Sequence, residues 1–225
     1  MLLKESSDKI YTNSGNEDVL KLITKPCSNI LDAGCGGGSL AKILSATGHR
    51  VDGVTISAEE YAIAKDYVNN IYLYDLEKGL PENIQHLQYD YVICSHVLEH
   101  IVSPEKLLKD IYRTLKPNGL LVVALPNIMH YKSRLKLIAG EFNYEDAGIW
   151  DNTHVKWYTF DTAKKLLTEY GFSIELATVT GDLPLNSIFS RILPIALKRK
   201  LYKFFIRISK GLFGYQILVT AKKGL

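Results

Sequence analysis

Cysteine is scarce in this chain: Cys27, Cys35 and Cys94 stand in different segments, with no CxxC pair and no Cys/His spacing that would hold zinc. An odd, scattered set argues against a disulfide framework and for a reducing compartment. Long apolar runs are missing too, since nothing approaches the roughly 20 residues of a membrane-spanning helix. The opening MLLKESSDK meets charge too early for a secretory leader, so the expected location is the cytoplasm. Repeats, low-complexity tracts and linkers are also absent, which leaves 225 residues to one α/β domain with appendages. Neither sign of charge dominates: 27 Lys and Arg face 24 Asp and Glu, an excess of +3 that is too small to point to nucleic acid.

The basic residues are unevenly placed. Ile195 to Lys210 holds Lys198, Arg199, Lys200, Lys203, Arg207 and Lys210 with no acid, so the rest of the chain is mildly acidic. Elsewhere, short apolar runs ending in small or acidic residues alternate with helical patterns, which predicts βα units and a mostly parallel sheet. Strands are expected near Asn29 to Ala33, Arg50 to Thr55, Ile71 to Tyr74, Tyr91 to Ser95, Leu120 to Leu125, Phe172 to Val179 and Tyr215 to Ala221. Helices are expected over Ser39 to Thr47, Ala58 to Val68 behind the N-cap Ser57, Pro104 to Leu115 behind Ser103, and Asp161 to Tyr170. Lys116-Pro-Asn-Gly119 is read as the stop of the third. Within the single domain, residues 1–28 are expected to form a helical lid, 126–158 a substrate-side insertion rich in aromatic and imidazole groups, and 184–211 a basic amphipathic segment.

Asn29-Ile-Leu-Asp-Ala-Gly-Cys-Gly-Gly-Gly-Ser39 runs from a buried strand into a helix. Its glycines let a ligand approach the backbone at the strand's carboxyl edge. Ser39 replaces the last Gly or Ala of the dinucleotide pattern, and Asp32 would repel a pyrophosphate while attracting an ammonium or sulfonium group. Asp-Ala-Gly-Cys-Gly-Gly-Gly resembles motif I of the class I S-adenosylmethionine-dependent methyltransferases. Tyr74-Asp75-Leu76-Glu77 resembles the turn that contacts adenine in that family. Tyr89 to His100 resembles the strand-four motif of the ubiquinone O-methyltransferase branch, and Leu115 to Asn127 matches its next strand. The stretch from Leu137 to Phe160 is similar to methyltransferases found with bacterial surface-polysaccharide genes, whose acceptors are commonly sugar hydroxyls.

The resemblance implies a Rossmann-like three-layer α/β sandwich on a seven-stranded sheet, mostly parallel with an antiparallel last strand. It implies S-adenosyl-L-methionine as cofactor, held by Asp32, Gly34, Cys35, Gly36, Thr55, Ile56, Asp75, Leu76 and Ser95. One departure stands out: where the family usually places an acid after strand two to hold the ribose hydroxyls, this chain has Thr55, a weaker partner.

Methyl transfer to an alcohol needs an in-line approach and a way to remove the alcohol proton. His96, Glu99 and His100 fall at i, i+3 and i+4, which predicts one face of a helical turn, and His154 is expected to join them from the insertion. The same four are the candidate catalytic residues and, through resemblance to the small-RNA 2'-O-methyltransferases, the candidate ligands of a divalent metal ion. A structural helix start is the competing reading of Glu99-His100. Trp150, Trp157 and Tyr158 suit either stacking on a sugar face or a satellite core, and His49, His86 and His130 are read as surface or loop residues.

The expected activity is O-methylation of a sugar or glycan-precursor hydroxyl. An RNA 3' end or a quinone-like phenol is the alternative acceptor, and a non-catalytic donor-binding module the alternative of another class. The segment 195–210 presents an apolar and a basic helical face, which suits either contact with an anionic membrane or packing on the core.

Overall fold

The computed structural model describes residues 15–181 and 193–224. In chain order the elements are α1 (Glu17–Leu20), β1 (Asn29–Ala33), α2 (Ser39–Ala46), β2 (Arg50–Thr55), α3 (Ala58–Ala64), β3 (Asn70–Leu73), β4 (Tyr89–Ser95), α4 (Glu105–Thr114), β5 (Leu115–Pro126), α5 (Tyr131–Ile138), α6 (Phe160–Glu169), β6 (Phe172–Thr180), α7 (Ile195–Ile208), α8 (Lys210–Phe213) and β7 (Gln216–Lys223). The strands form one sheet in the order β3-β2-β1-β4-β5-β7-β6. β1 to β5 pair in parallel, and β7 runs antiparallel to both β5 and β6.

The central strands read as continuous apolar runs because both faces are covered. One core cluster joins Leu31, Val92, Leu121 and Val219 to α4 and α6, and the other joins Ile30, Tyr91 and Val122 to α2 and Val19 of α1. α4 shows how a helix is sorted: Leu107, Leu108 and Ile111 are buried while Lys106, Lys109 and Arg113 face solvent. The order reverses between β1 and β4, so the carboxyl ends of β1, β2 and β4 open onto one crevice.

Three local expectations change. Lys116-Pro-Asn-Gly119 lies inside β5, which begins as α4 ends. There the β4–β5 register shifts between Tyr89 and Tyr91, and a Cβ on Gly119 would come within 2.8 Å of the Tyr89 carbonyl oxygen. α3 ends at Ala64 rather than Val68. The start of α4 is served by Glu77, whose carboxylate accepts from the Val102 and Ser103 amides at 2.8 Å, with Pro104 at the cap position that Ser103 was expected to fill. The first half of the expected lid and the first part of the 184–211 segment lie outside the described residues.

Candidate active site

β1 carries Asp32 to the crevice. Asp32 is 2% exposed, its Oδ2 has no hydrogen-bond partner among the described residues, and burial pushes its pKa up to about 7. The chain then turns through Gly34 at φ +92°, where a Cβ would lie 2.4 Å from Val97 Cγ2, so this glycine is required by packing as well as by conformation. The amides of Gly34 and Cys35 both donate to the Val54 carbonyl at 2.9 Å. They brace the loop against β2, which leaves the amides of Gly36 and Gly37 as the loop donors without a partner among the described residues. The Cys35 side chain is buried toward β2, where a Cβ on Gly53 would touch its sulfur.

Beside the loop, Thr55 at the end of β2 is buried, and its hydroxyl donates to Glu60 Oε2 at 2.8 Å. Glu60 comes from α3 and is itself 4% exposed. A buried acid thus stands beside the position where Thr55 replaces the family's usual acid. Sequence inspection missed it, although an acid five residues after Thr55 on the first turn of a capped helix was there to be noticed. Ile56 follows, partly exposed, and Asp75 caps the short turn Leu76–Lys78 by accepting from the Glu77 amide at 3.0 Å. A buried carboxylate with an oxygen unpartnered among the described residues, a glycine turn and a second buried acid fit an adenosyl donor with a positive amino end.

β4 supplies the other wall. Ser95 accepts from Asn16 Nδ2 at 3.3 Å, and His96 follows with φ +57°, a left-handed backbone that a histidine seldom adopts. The regular turn is only Leu98–His100, so His96 is not on a shared helical face with Glu99 and His100 as expected. Its ring reaches Glu99 by another route: Nδ1 lies 3.2 Å from Glu99 Oε1 and Nε2 lies 2.8 Å from Gln216 Oε1. Gln216, at the start of β7, also receives Asn16 Nδ2 at 2.7 Å. Neither Gln216 nor Asn16 carries any local sequence signal.

Glu99 is fully buried. Burial alone would raise its pKa, but the hydrogen bond from His96 and the neighbouring imidazoles outweigh this and hold it below the ordinary carboxylate value. The insertion is pinned here, because the Glu99 carbonyl accepts from the Val155 and Lys156 amides at 2.9 and 3.0 Å. That pinning brings His154 in, its Nε2 4.0 Å from Glu99 Oε1 and its ring 4.8 Å from that of His100. His154 Nδ1 faces the Ile149 carbonyl at 3.1 Å and His100 Nδ1 the Thr153 carbonyl at 3.2 Å. These acceptors assign the protons to Nδ1 and give each Nε2 a lone pair. Burial lowers the pKa of His154, with His100 adding to it against the pull of Glu99, which keeps the ring neutral at physiological pH.

Glu99, His100 and His154 place ligand atoms within 4.8 Å of one another, and Glu99 Oε2 has no partner among the described residues. This triple fits a divalent cation of the zinc, manganese, iron or cobalt type better than magnesium. His96 falls outside it. Around the triple, Tyr158 is buried in the main core rather than in a satellite one, and Trp150 is buried with its ring 4.8 Å from that of Phe142, while Phe142 and Tyr144 remain exposed. His130, read as a surface or loop residue, does lie in the loop before α5 but is 4% exposed, and burial pushes its pKa down to about 4.

This strand order, with a glycine turn after β1 and an unpartnered acid above it, defines a class I S-adenosylmethionine-dependent methyltransferase. Residues 10–177 match the methyltransferase-domain family, and the chain belongs to it. It is 30% identical over 162 residues to the ubiquinone biosynthesis O-methyltransferase of Rickettsia canadensis, covering 70% of this chain and 68% of that one. It is 33% identical over 189 residues to the mitochondrial ubiquinone biosynthesis O-methyltransferase of Rattus norvegicus, covering 77% of this chain and 51% of the rat protein. Among solved structures, an S-adenosylmethionine-dependent methyltransferase from Archaeoglobus fulgidus shares the fold with a TM-score of 0.65 at 23% identity, covering 92% of each chain.

Proposed function

We propose that the protein is an O-methyltransferase that activates its acceptor hydroxyl at Glu99, His100 and His154. The observation that carries this reading is the buried Glu99 carboxylate, whose Oε2 has no partner among the described residues, with ligand atoms of Glu99, His100 and His154 all within 4.8 Å of one another. S-adenosylmethionine, when bound, supplies a methyl group on a sulfonium. The acceptor oxygen forms the new bond to that carbon as the carbon–sulfur bond breaks, and the hydroxyl proton passes to an Nε2 of the triple. Asp32 and Glu60 hold the donor's amino and ribose ends, and Val97 against Gly34 sets the floor of the approach. A divalent ion held by the same three side chains would lower the hydroxyl's pKa instead.

The acceptor we favour is a quinone-like phenol, in keeping with the named activity of the R. canadensis and rat relatives. A sugar or glycan-precursor hydroxyl is the second acceptor class, and the exposed rings of Phe142 and Tyr144 suit either kind of ring. The test is transfer of labelled methyl from the donor to a panel of catechols, phenols and nucleotide sugars, with and without chelator. Incorporation at oxygen that is lost in a His100→Ala, His154→Ala double variant supports the proposal. Full turnover by that variant on any acceptor defeats it.

A further inference from the structure

α7 has no buried residue, yet only one side of it is packed. Leu201, Tyr202, Phe205 and Ile206 are half-buried and recur at helical spacing, so this stripe faces the protein. The segment is fastened there: Asn127 Nδ2 donates to the Gly211 and Gly214 carbonyls at 2.8 and 2.7 Å, Lys210 donates to the Ala177 carbonyl at 2.9 Å, and Phe205 meets Phe213 at 4.9 Å. The outward side divides in two. Arg199, Lys200, Lys203 and Arg207 occupy an arc of about 100°, all exposed and with no ion pair among the described residues. Beside that arc stand Leu197, Phe204 (59% exposed) and Ile208 (62% exposed). The single apolar face expected of this helix is therefore split, because Leu201 and Phe205 turn inward while Leu197, Phe204 and Ile208 do not.

A second apolar surface adjoins this one. Tyr131, at the start of α5, lies 6.4 Å from Phe213, and α5 then exposes Leu135, Leu137 and Ile138 (82% exposed) next to Lys132. α5 also lies within the insertion that delivers His154. Exposed aliphatic groups flanking unpaired bases need a partner that is negatively charged at its surface and hydrocarbon beneath. A nucleic acid offers the charge but nothing for Leu197, Ile208 and Ile138 to enter.

We infer that α7, with α5 beside it, docks the protein on an anionic lipid bilayer, the basic arc at the phosphate level and Leu197, Phe204 and Ile208 dipping into the acyl boundary. The acceptor-side insertion is thereby held near the membrane surface. This docking is independent of the acceptor's identity and of the catalytic triple.

The test is cosedimentation of the full chain with phosphatidylglycerol–phosphatidylcholine vesicles and with phosphatidylcholine alone. Binding should require the anionic lipid and fall as salt rises. A Lys200→Ala, Lys203→Ala, Arg207→Ala variant should bind roughly a hundredfold more weakly. A Phe204→Ser, Ile208→Ser variant should lose the binding that persists at high salt. Donor affinity, read by calorimetry, should be unchanged in both, which shows that they are folded. Equal sedimentation of wild type with both vesicle types, or none with either, overturns the inference. So does a serine variant that binds vesicles like wild type while an RNA oligonucleotide competes through the three bases.

Discussion

The imidazole of His96 lies between two acceptors, Glu99 Oε1 at 3.2 Å and Gln216 Oε1 at 2.8 Å. A neutral ring has one N–H and cannot donate to both, so this geometry calls for the imidazolium. Partial burial opposes that charge, but the hydrogen bond and charge of Glu99, with Gln216 assisting, raise the His96 pKa. His96 is thereby a clamp that fixes Glu99, and its two nitrogens are committed.

A His96→Ala variant should accordingly keep the stoichiometry of metal binding, while the loss of the clamp on Glu99 weakens affinity about tenfold. Titration with Co²⁺, followed by its visible absorption, should give a 1:1 complex for wild type and His96→Ala. His154→Ala should lose it by tenfold or more. Retention of full affinity by His154→Ala would remove that residue from the candidate ligand set.

Donor affinity should depend on pH through Asp32. In the free protein its pKa is about 7, so below that value the carboxyl is protonated and must release its proton to pair with the donor's ammonium. Affinity should rise with pH up to about 7 and fall again once the donor's amine deprotonates near ~8. Calorimetry in two buffers of different ionisation enthalpy should show proton release at pH 6. Asp32→Asn should abolish that release and weaken binding at pH 7.5 by roughly a hundredfold.

Glu60 should behave as the ribose ligand. Glu60→Gln is expected to weaken donor binding roughly tenfold, the scale of a charge-assisted hydrogen bond. A donor lacking the 2'-hydroxyl should be insensitive to the same change if that hydroxyl is the one held. Equal losses for both donors would assign Glu60 to the other hydroxyl or to support of Thr55.

His130 should make the fold acid-sensitive. Its folded pKa of about 4 lies below the ordinary value for histidine, so its stabilising effect is complete above ~6.5 and is lost as pH falls toward 4. The full swing is on the order of 3 kcal/mol. Asp32, with a raised pKa, acts in the opposite sense over much of the same range, so the informative comparison is between wild type and His130→Phe. Urea denaturation at pH 7.5 and 4.5 should show a smaller loss in the variant.

The parallel half of the sheet was legible because buried strands read as unbroken apolar runs, and β1 and β2 have the bounds expected of them. β5 was cut short because Pro117 and Gly119 look like a stop, whereas at the end of a sheet they accommodate a bulge. The Glu99, His100 and His154 convergence was legible from residue type. What the spacing could not show was the left-handed backbone of His96, which takes it off the expected face, nor the arrival of Glu60 and Gln216, which depends on how distant segments pack.

The bond between Asn16 and Gln216 joins positions 200 residues apart and shares an oxygen with His96. During vectorial synthesis the donor crevice between β1, β2 and β4 can form early, but the clasp on His96 must wait until β7 has left the ribosome and slotted between β5 and β6. Of the contacts around Glu99, the clasp on His96 is thus the last that the growing chain can close.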